Sequence, residues 1–163
     1  VISDERAKLL DQGGGIVRAL PELGRGPFAI CNTDAAWIPG GGWSLEKLFD
    51  AWDPARMDVL LLVAASARSV GVDWPGDFTM DAQGRLTKRA EREVAPFVYA
   101  GVGVMKPELF AGETREVFRL APHFFAAAEK GRLHGVRLDG QWLHVGDPGA
   151  IAEADAAFVR SRL

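Results

Sequence analysis

The chain has 163 residues, a formal net charge of −3 and one cysteine, which excludes an internal disulfide. Apolar residues make up 48% of the chain and charged residues 25%, a balance typical of a globular domain with one sizeable core. Since basic residues are not in excess, we expect no nucleic-acid partner. No apolar run approaches the roughly 20 residues that cross a bilayer, and no signal peptide opens the sequence, so we expect no membrane partner and a cytoplasmic location.

Hydrophobic periodicity, turn residues and caps predict the elements of the chain in order. The first are a glycine-rich bend at 12–15, a helix over 14–20 ended by Pro21, an all-apolar strand over 28–31, a helix over 45–52 capped by Ser44, and an apolar strand over 58–65. The others are a hairpin over 77–80 and 85–88, a strand over 97–105, a helix from Pro122 to Lys130, a hairpin over 133–138 and 141–145, and a helix from Asp147 towards Arg162. This order predicts an α/β fold with a mainly parallel, Rossmann-like sheet flanked by helices and extended by antiparallel hairpins.

Three local features add to this prediction. Cys31 lies in an apolar run and is expected to be a small buried residue. The basic residues Lys88, Arg89 and Arg92 alternate with acidic ones, a pattern typical of a solvated loop or helix face. Residues 1–3 read like the end of a buried strand, so we expect that preceding sequence, including a first β-α unit, is missing from this chain.

Two segments have the composition of a nucleotide site. Gly13, Gly14 and Gly15 would let a base or phosphate lie against the main chain, and Gln12 offers a donor and acceptors to a base edge; the alternative is a flexible helix N-terminus. Asp34 follows the strand over 28–31, so its carboxylate should project at the carboxyl edge of the sheet. Mg²⁺ prefers such oxygen ligands, although a turn or cap role would explain the residue equally well.

Four segments, in order over nearly the whole chain, resemble the sugar-1-phosphate nucleotidyltransferases. They are LDQGGGIVRAL at 10–20, FAICNTDAAW at 28–37, YAGVGVMKPELF at 99–110 and GRLHGVRLDGQWLHVGDP at 131–148. The resemblance is greatest to the N-acetylmuramate-1-phosphate uridylyltransferase branch, which is often grouped with mannose-1-phosphate guanylyltransferases. Each motif is moderately specific, and the collinear set is strong.

The resemblance implies one nucleotidyltransferase domain over 1–163, incomplete at its N-terminus. It also implies an enzyme that transfers a nucleoside monophosphate from an NTP, with UTP favoured, to a sugar 1-phosphate and releases pyrophosphate. Mg²⁺ would be the cofactor, and catalysis would be largely positioning plus charge neutralisation. The sequence leaves the base, the sugar, the pathway, protein partners and the oligomeric state open.

The resemblance also assigns roles to individual residues. Those implied are Gln12, Gly13 and Gly14 for nucleotide binding, Asn32, Asp77, Tyr99 and Gly101 for sugar binding, and Asp34 for catalysis and metal binding. Two of these have structural alternatives: Tyr99 packs equally well as a core residue, and a turn role is favoured for Asp77.

The sequence departs from the family pattern in two places. The family's N-terminal Gly-rich loop, which grips the triphosphate, is absent, and without it we expect no useful turnover from these residues alone. Where the family has an aspartate two residues after Trp142, this chain has His144, a poor ligand for Mg²⁺. Either Asp34 holds the ion with phosphates and waters, or Asp147 reaches in, or His144 contacts phosphate instead. A helix cap is favoured for Asp147. These departures motivate an alternative function, a non-catalytic module that binds nucleotide sugars or has a regulatory role.

Overall fold

A computed structural model describes residues 1–161, so the predicted helix end at Arg162 lies outside the described residues. The helices are α1 (Asp11–Leu23), α2 (Ser44–Asp50), α3 (Ala121–Glu129) and α4 (Pro148–Arg160). The strands are β1 (Phe28–Cys31), β2 (Ala35–Pro39), β3 (Val59–Ala65), β4 (Phe78–Met80), β5 (Leu86–Lys88), β6 (Phe97–Met105), β7 (Leu133–Arg137) and β8 (Gly140–His144). No helix within 1–161 combines the length and apolar character needed to cross a membrane.

The main sheet has six strands, and β6 lies at its centre. The strand order is β5-β4-β6-β3-β7, and β1 also pairs with β6. Strands β1 and β4 use the same side of β6, β1 along its last residues and β4 at its first residue, while β3 occupies the other side. Three strands can therefore pair with β6, because β1 and β4 share one side of it and pair with opposite ends.

The prediction of a mainly parallel sheet is wrong. In the described residues only β3 and β7 pair in parallel, and the other ladders of the main sheet are antiparallel. The sequence predicted parallel strands because β3 and β6 are apolar along nearly their whole length. In the structure this composition reflects burial on both faces of the sheet. Such burial is typical of parallel strands but does not fix strand direction. The α/β class with helices flanking the sheet is confirmed.

The second predicted hairpin is also wrong. Strand β7 pairs with β3 in the main sheet, whereas β8 pairs with β2 in a separate two-stranded sheet. Strand β2 itself was not predicted, because its five residues directly follow a turn and show no alternation of apolar and polar residues. The chain between β7 and β8 thus crosses from one sheet to the other. The first hairpin, β4–β5 with Gly84 at a positive φ of 79°, is confirmed.

Both faces of the main sheet are covered, and β3 divides its side chains between them. Its first, third and fifth residues belong to the cluster that includes Phe124 of α3, and its second, fourth and sixth belong to the cluster that includes Leu48 of α2. This period of two is the geometry of an extended strand. A third cluster joins the two-stranded sheet to α4 through Leu143 and Ala154.

Local predictions differ from the structure at three positions. Helix α1 continues past Pro21 to Leu23, because proline removes one main-chain N–H but leaves the last turn otherwise intact. Ser44 is the first residue of α2 and does not cap it; its hydroxyl oxygen accepts a hydrogen bond from the Asp139 N–H at 3.1 Å. Cys31 is exposed, because it ends β1 where only β6 is a neighbour among the described strands.

The glycines at the start of α1 allow a close contact with residues 116–118. The Gly13 N–H donates to the Phe118 carbonyl at 2.9 Å, and both Gly13 and Gly14 are buried. A Cβ at Gly14 would overlap the Glu116 carbonyl oxygen, and a Cβ at Gly13 would lie 2.7 Å from the Phe118 carbonyl oxygen. These two glycines therefore have a packing role, whatever else they contact.

Gly14→Ala should lower the free energy of unfolding by about 1 kcal/mol. Alanine gains up to about 1 kcal/mol in helix propensity, but overpacking against a main-chain carbonyl costs about 1–3 kcal/mol. Urea denaturation measures the change. Gly26→Ala is the matched control, since its Cβ would meet nothing within 4 Å. A Gly14→Ala protein as stable as the unchanged one would contradict this packing role.

An ion-pair cluster joins β3, β6 and β7 at the end of the main sheet where β6 finishes and β1 begins. Asp58 contacts Arg132 (Nε–Oδ2 2.9 Å) just before β7 and Lys106 (Nζ–Oδ1 3.0 Å) just after β6. Hydrogen bonding to Arg132 lowers the pKa of the Asp58 carboxyl, burial opposes this, and Lys106 lowers it further. The ionised carboxylate is therefore the form that stabilises the fold.

Asp58→Asn should cost about 1 kcal/mol of stability at pH 7. Because the folded pKa is lowered, the stabilisation is complete above the unfolded value of about 3.9 and disappears as pH falls through the folded pKa. Denaturation between pH 7 and pH 2 should show the two proteins converging in acid. Exposed Asp155→Asn serves as control. A difference independent of pH would contradict the ion-pair account.

Candidate active site

The candidate site occupies an interval of β6 that no strand of residues 1–161 covers on one side. Strand β1 pairs with residues 102–105 of β6 and β4 pairs with Phe97, which leaves 98–101 open between them. The four residues that the sequence assigns to sugar binding lie along this interval: Tyr99 and Gly101 on β6, Asn32 just after β1 and Asp77 just before β4. The fold thus brings together residues that are up to 69 positions apart in the sequence.

At one end of the interval, Asp77 takes the place of a strand partner. One of its carboxylate oxygens accepts the Tyr99 main-chain N–H at 2.9 Å, and the other accepts the Trp74 indole N–H at 3.1 Å. The turn role favoured from the sequence fits these contacts. Its role towards a sugar stays a prediction.

At the other end, Gly101 lets the turn after β1 pass close to β6. The Asn32 N–H donates to the Gly101 carbonyl at 2.8 Å. Gly101 has a φ of +82°, and the β3–β6 register shifts beside it, as in a β-bulge. A Cβ there would lie 2.7 Å from the Ala35 Cβ and 3.2 Å from the Asn32 Cβ. Only glycine fits this crossing.

Asp34 lies in the turn between β1 and β2, and it is partly buried. Its carbonyl accepts the Val145 N–H at 2.9 Å, which joins the turn to the residue after β8. Among the described residues, its carboxylate has no hydrogen bond and no ion pair. A carboxylate that the fold positions but does not use is suited to a ligand or a metal ion.

The Tyr99 hydroxyl, on the same interval of β6, also lacks a hydrogen-bond partner among the described residues. Its oxygen is buried. Burial raises the pKa of Tyr99, and the neighbouring Cys31 and Asp34 raise it further. The ring packs edge-on against Phe124, with 5.5 Å between centroids. The neutral phenol therefore lies near Asp34 with its donor unused.

Two cavities meet at Gln12. One, of about 740 Å³, is mostly apolar and is lined by Gly15, Ile30 and Asn32 among others; the other, of about 280 Å³, is lined by Asp77, Tyr99 and Lys88 among others. Gln12 lines both cavities, whereas Gly13 and Gly14 line neither. The predicted contact of those two glycines with a base stays a prediction.

His144 and Asp147 are held in different ways. The His144 ring stacks on Trp142 (centroids 5.4 Å, planes 23° apart) and meets the edge of Trp74, and its buried Nδ1 has no protein partner in the described chain. The Asp147 carboxylate accepts the N–H groups of Gly149 (2.8 Å) and Ala150 (3.0 Å), so it caps α4 as favoured from the sequence. A metal or phosphate role for either residue stays a prediction.

Within residues 1–161, no three His, Cys, Asp or Glu side chains lie close enough together to hold a metal ion. The structure does offer the unpaired Asp34 carboxylate. This donor set fits Mg²⁺ held by one carboxylate plus substrate phosphates, which is a common arrangement for this ion.

Comparison with curated proteins finds close sequence relatives. The chain is 43% identical over 161 residues to N-acetylmuramate alpha-1-phosphate uridylyltransferase of Caulobacter vibrioides, covering 99% of this chain and 66% of that protein. It is 30% identical over 155 residues to the protein of the same name from Neisseria meningitidis serogroup B, covering 94% and 64%. The chain belongs to the sugar-1-phosphate nucleotidyltransferase family.

Among solved structures, UDP-glucose pyrophosphorylase complexed with UDP-glucose superposes with a TM-score of 0.69 at 14% identity, over 94% of this chain and 64% of that one. This likeness supports the nucleotidyltransferase fold. A scan against protein-family models finds no match. The chain spans slightly less than two thirds of the length of the two curated relatives.

Sequence reasoning missed three residues that line or support this candidate site. Trp74 holds Asp77, and Lys88 and Arg89 line the smaller cavity. The solvated face predicted from the charge pattern agrees with the exposure of Lys88 and Arg92, but the pattern did not reveal that Lys88 also lies over Phe125 of α3. The spacing of Trp74 and Asp77, three residues apart before a predicted hairpin, was the one available signal.

Asp77→Ala should lower the free energy of unfolding by about 2 kcal/mol, because two partly buried N–H groups lose their acceptor. Thermal and urea unfolding measure the loss. Asp73→Ala is the matched control, since Asp73 is exposed and has no hydrogen bond among the described residues. Equal stability of the two variants would show that Asp77 does not support β6.

Proposed function

We propose that the protein containing this chain transfers UMP from UTP to N-acetylmuramate 1-phosphate and releases pyrophosphate. The observation that carries the proposal is the 43% identity to a uridylyltransferase of that name over 99% of this chain. The geometry agrees, because the unpaired Asp34 carboxylate and the unpaired Tyr99 hydroxyl lie at the same interval of β6. A cytoplasmic location and the absence of a nucleic-acid partner stay predictions.

The proposed reaction is an in-line displacement at phosphorus. An oxygen of the sugar phosphate forms a bond to the α-phosphorus of UTP, and the bond from that phosphorus to the oxygen bridging to the β-phosphate breaks. Pyrophosphate leaves with the electron pair of that bond. Most of the rate enhancement in such reactions comes from positioning and from stabilising charge on the phosphoryl oxygens.

This chain's residues would do the positioning. Gln12 would meet the edge of the uracil from its place between the two cavities, and Asn32 would approach the sugar from the end of β1. Tyr99 would donate its unused O–H to the sugar or its phosphate, with Asp77 holding the strand beneath it. The main chain at Gly101 would lie beside the sugar.

Asp34 would hold Mg²⁺ when the substrates are bound. The ion would supply positive charge to the phosphate oxygens at the reacting phosphorus. The fold contributes a turn fixed at both ends, by the Asn32 N–H on Gly101 and by the Val145 N–H on Asp34. These contacts would hold the main chain that carries the Asp34 side chain before substrates arrive.

Asp34→Asn in the full-length protein should lower kcat/KM on the order of 10²-fold or more. Stability should change little, because the carboxylate has no hydrogen bond or ion pair within residues 1–161. The assay is pyrophosphate release with UTP and N-acetylmuramate 1-phosphate, set against GTP and mannose 1-phosphate. Circular dichroism and thermal unfolding check the fold.

Asp147→Asn is the matched control. Asparagine caps a helix as well as aspartate, so activity should survive if Asp147 is only a cap. Loss of activity in Asp147→Asn instead would move the metal site to α4. Nucleotide binding by calorimetry without turnover of any such pair by the unchanged full-length protein would favour the non-catalytic binding module.

A further inference from the structure

The smaller cavity carries two cations that no carboxylate of residues 1–161 neutralises. Lys88, at the end of β5, places its Nζ 4.3 Å from the centroid of the Phe125 ring and makes no hydrogen bond or ion pair within the described chain. Arg89 follows it and also lacks a carboxylate partner there. Both line the cavity that Gln12, Asp77 and Tyr99 share.

Arg89 is fixed as a scaffold cation. Its guanidinium donates to the main-chain carbonyls of Gly76 (2.9 Å), Ala90 (3.1 Å) and Glu93 (3.0 Å). Carbonyls hold the group in place but leave its charge uncompensated. Few of its donors therefore remain for a ligand, while its field acts on the whole cavity.

Lys88 differs from Arg89 in its hydrogen bonding. All three of its N–H donors are unused within the described chain, and the face of Phe125 favours the ammonium above it. Among residues 1–161, Asp77 is the one carboxylate that lines the cavity, and its two oxygens already accept N–H groups. Two cations against one carboxylate make the cavity positive, and Lys88 is the group free to contact an anion.

The sugars of this reaction class differ in the charge that they offer such a group. N-acetylmuramate carries a carboxylate on its lactyl ether, which N-acetylglucosamine lacks, whereas their 1-phosphates are the same. We propose that Lys88 selects an acidic sugar by binding this carboxylate, with Arg89 adding positive charge behind it. The inference rests on the proposed function, because it assigns the smaller cavity to the sugar.

The test separates the sugar carboxylate from the phosphate. Calorimetry on the full-length protein measures Kd for N-acetylmuramate 1-phosphate and N-acetylglucosamine 1-phosphate, and the pyrophosphate assay runs alongside. Lys88→Gln should weaken binding of the acidic sugar about tenfold, as expected for loss of a hydrogen-bonded charge. Its Kd for the neutral sugar should change less than twofold, and Lys88→Arg should restore most of the selectivity.

Lys130→Gln is the matched control, an exposed lysine outside this cavity, and should change neither Kd. Equal weakening of both sugar phosphates in Lys88→Gln would show that Lys88 binds the phosphate and would overturn the inference, as would no change in either. Failure of the proposed function has a different signature, which is Lys88-dependent binding of the acidic sugar without pyrophosphate release. If the unchanged protein does not bind N-acetylmuramate 1-phosphate, both the proposed function and this inference are wrong.

Discussion

The site depends on how the main-chain groups in one interval of β6, where no neighbouring strand pairs within the described residues, find hydrogen-bond partners. A central strand must pair its main-chain groups, yet β1 and β4 leave residues 98–101 open on one side. Asp77 accepts the N–H of Tyr99, and Asn32 donates to the carbonyl of Gly101. Polar residues from two distant segments therefore converge on β6 because the strand needs partners there.

The same interval explains where the unused groups lie. The turn after β1 is held against Gly101 at one end and against the residue after β8 at the other, and Asp34 lies between these two contacts. The Tyr99 side chain lies on the adjacent stretch of β6, with its hydroxyl buried and unpaired within the described chain. The hydrogen bonds that hold this region use main-chain groups, so the Asp34 and Tyr99 side chains stay free for a ligand.

Much of this arrangement could be predicted from the sequence, because it depends on local order. Strand β1 followed by Asp34, the hairpin after Asp77 and glycine at 101 were all readable as motifs, and the four predicted sugar residues do converge. Strand direction could not be predicted, since β3 and β6 are apolar on both faces whether they pair in parallel or antiparallel. Strand β2 was missed because its identity as a strand depends on pairing with β8, which lies about a hundred residues later. Lys88 is exposed, as the charge pattern predicted, but its contact with Phe125 of α3 could not be predicted, because no local charge pattern encodes that contact.

The proposed site requires that the Asp34 carboxylate, in the turn after β1, binds the metal ion that accompanies the nucleotide. Paramagnetic broadening by Mn²⁺ in the presence of UTP tests it directly, in amide NMR spectra of the full-length protein. If Asp34 binds the ion, the amides of Thr33, Asp34 and Val145 broaden first. Strongest broadening around Asp58 at the other edge of the sheet, or at the Asp147 cap, would contradict it.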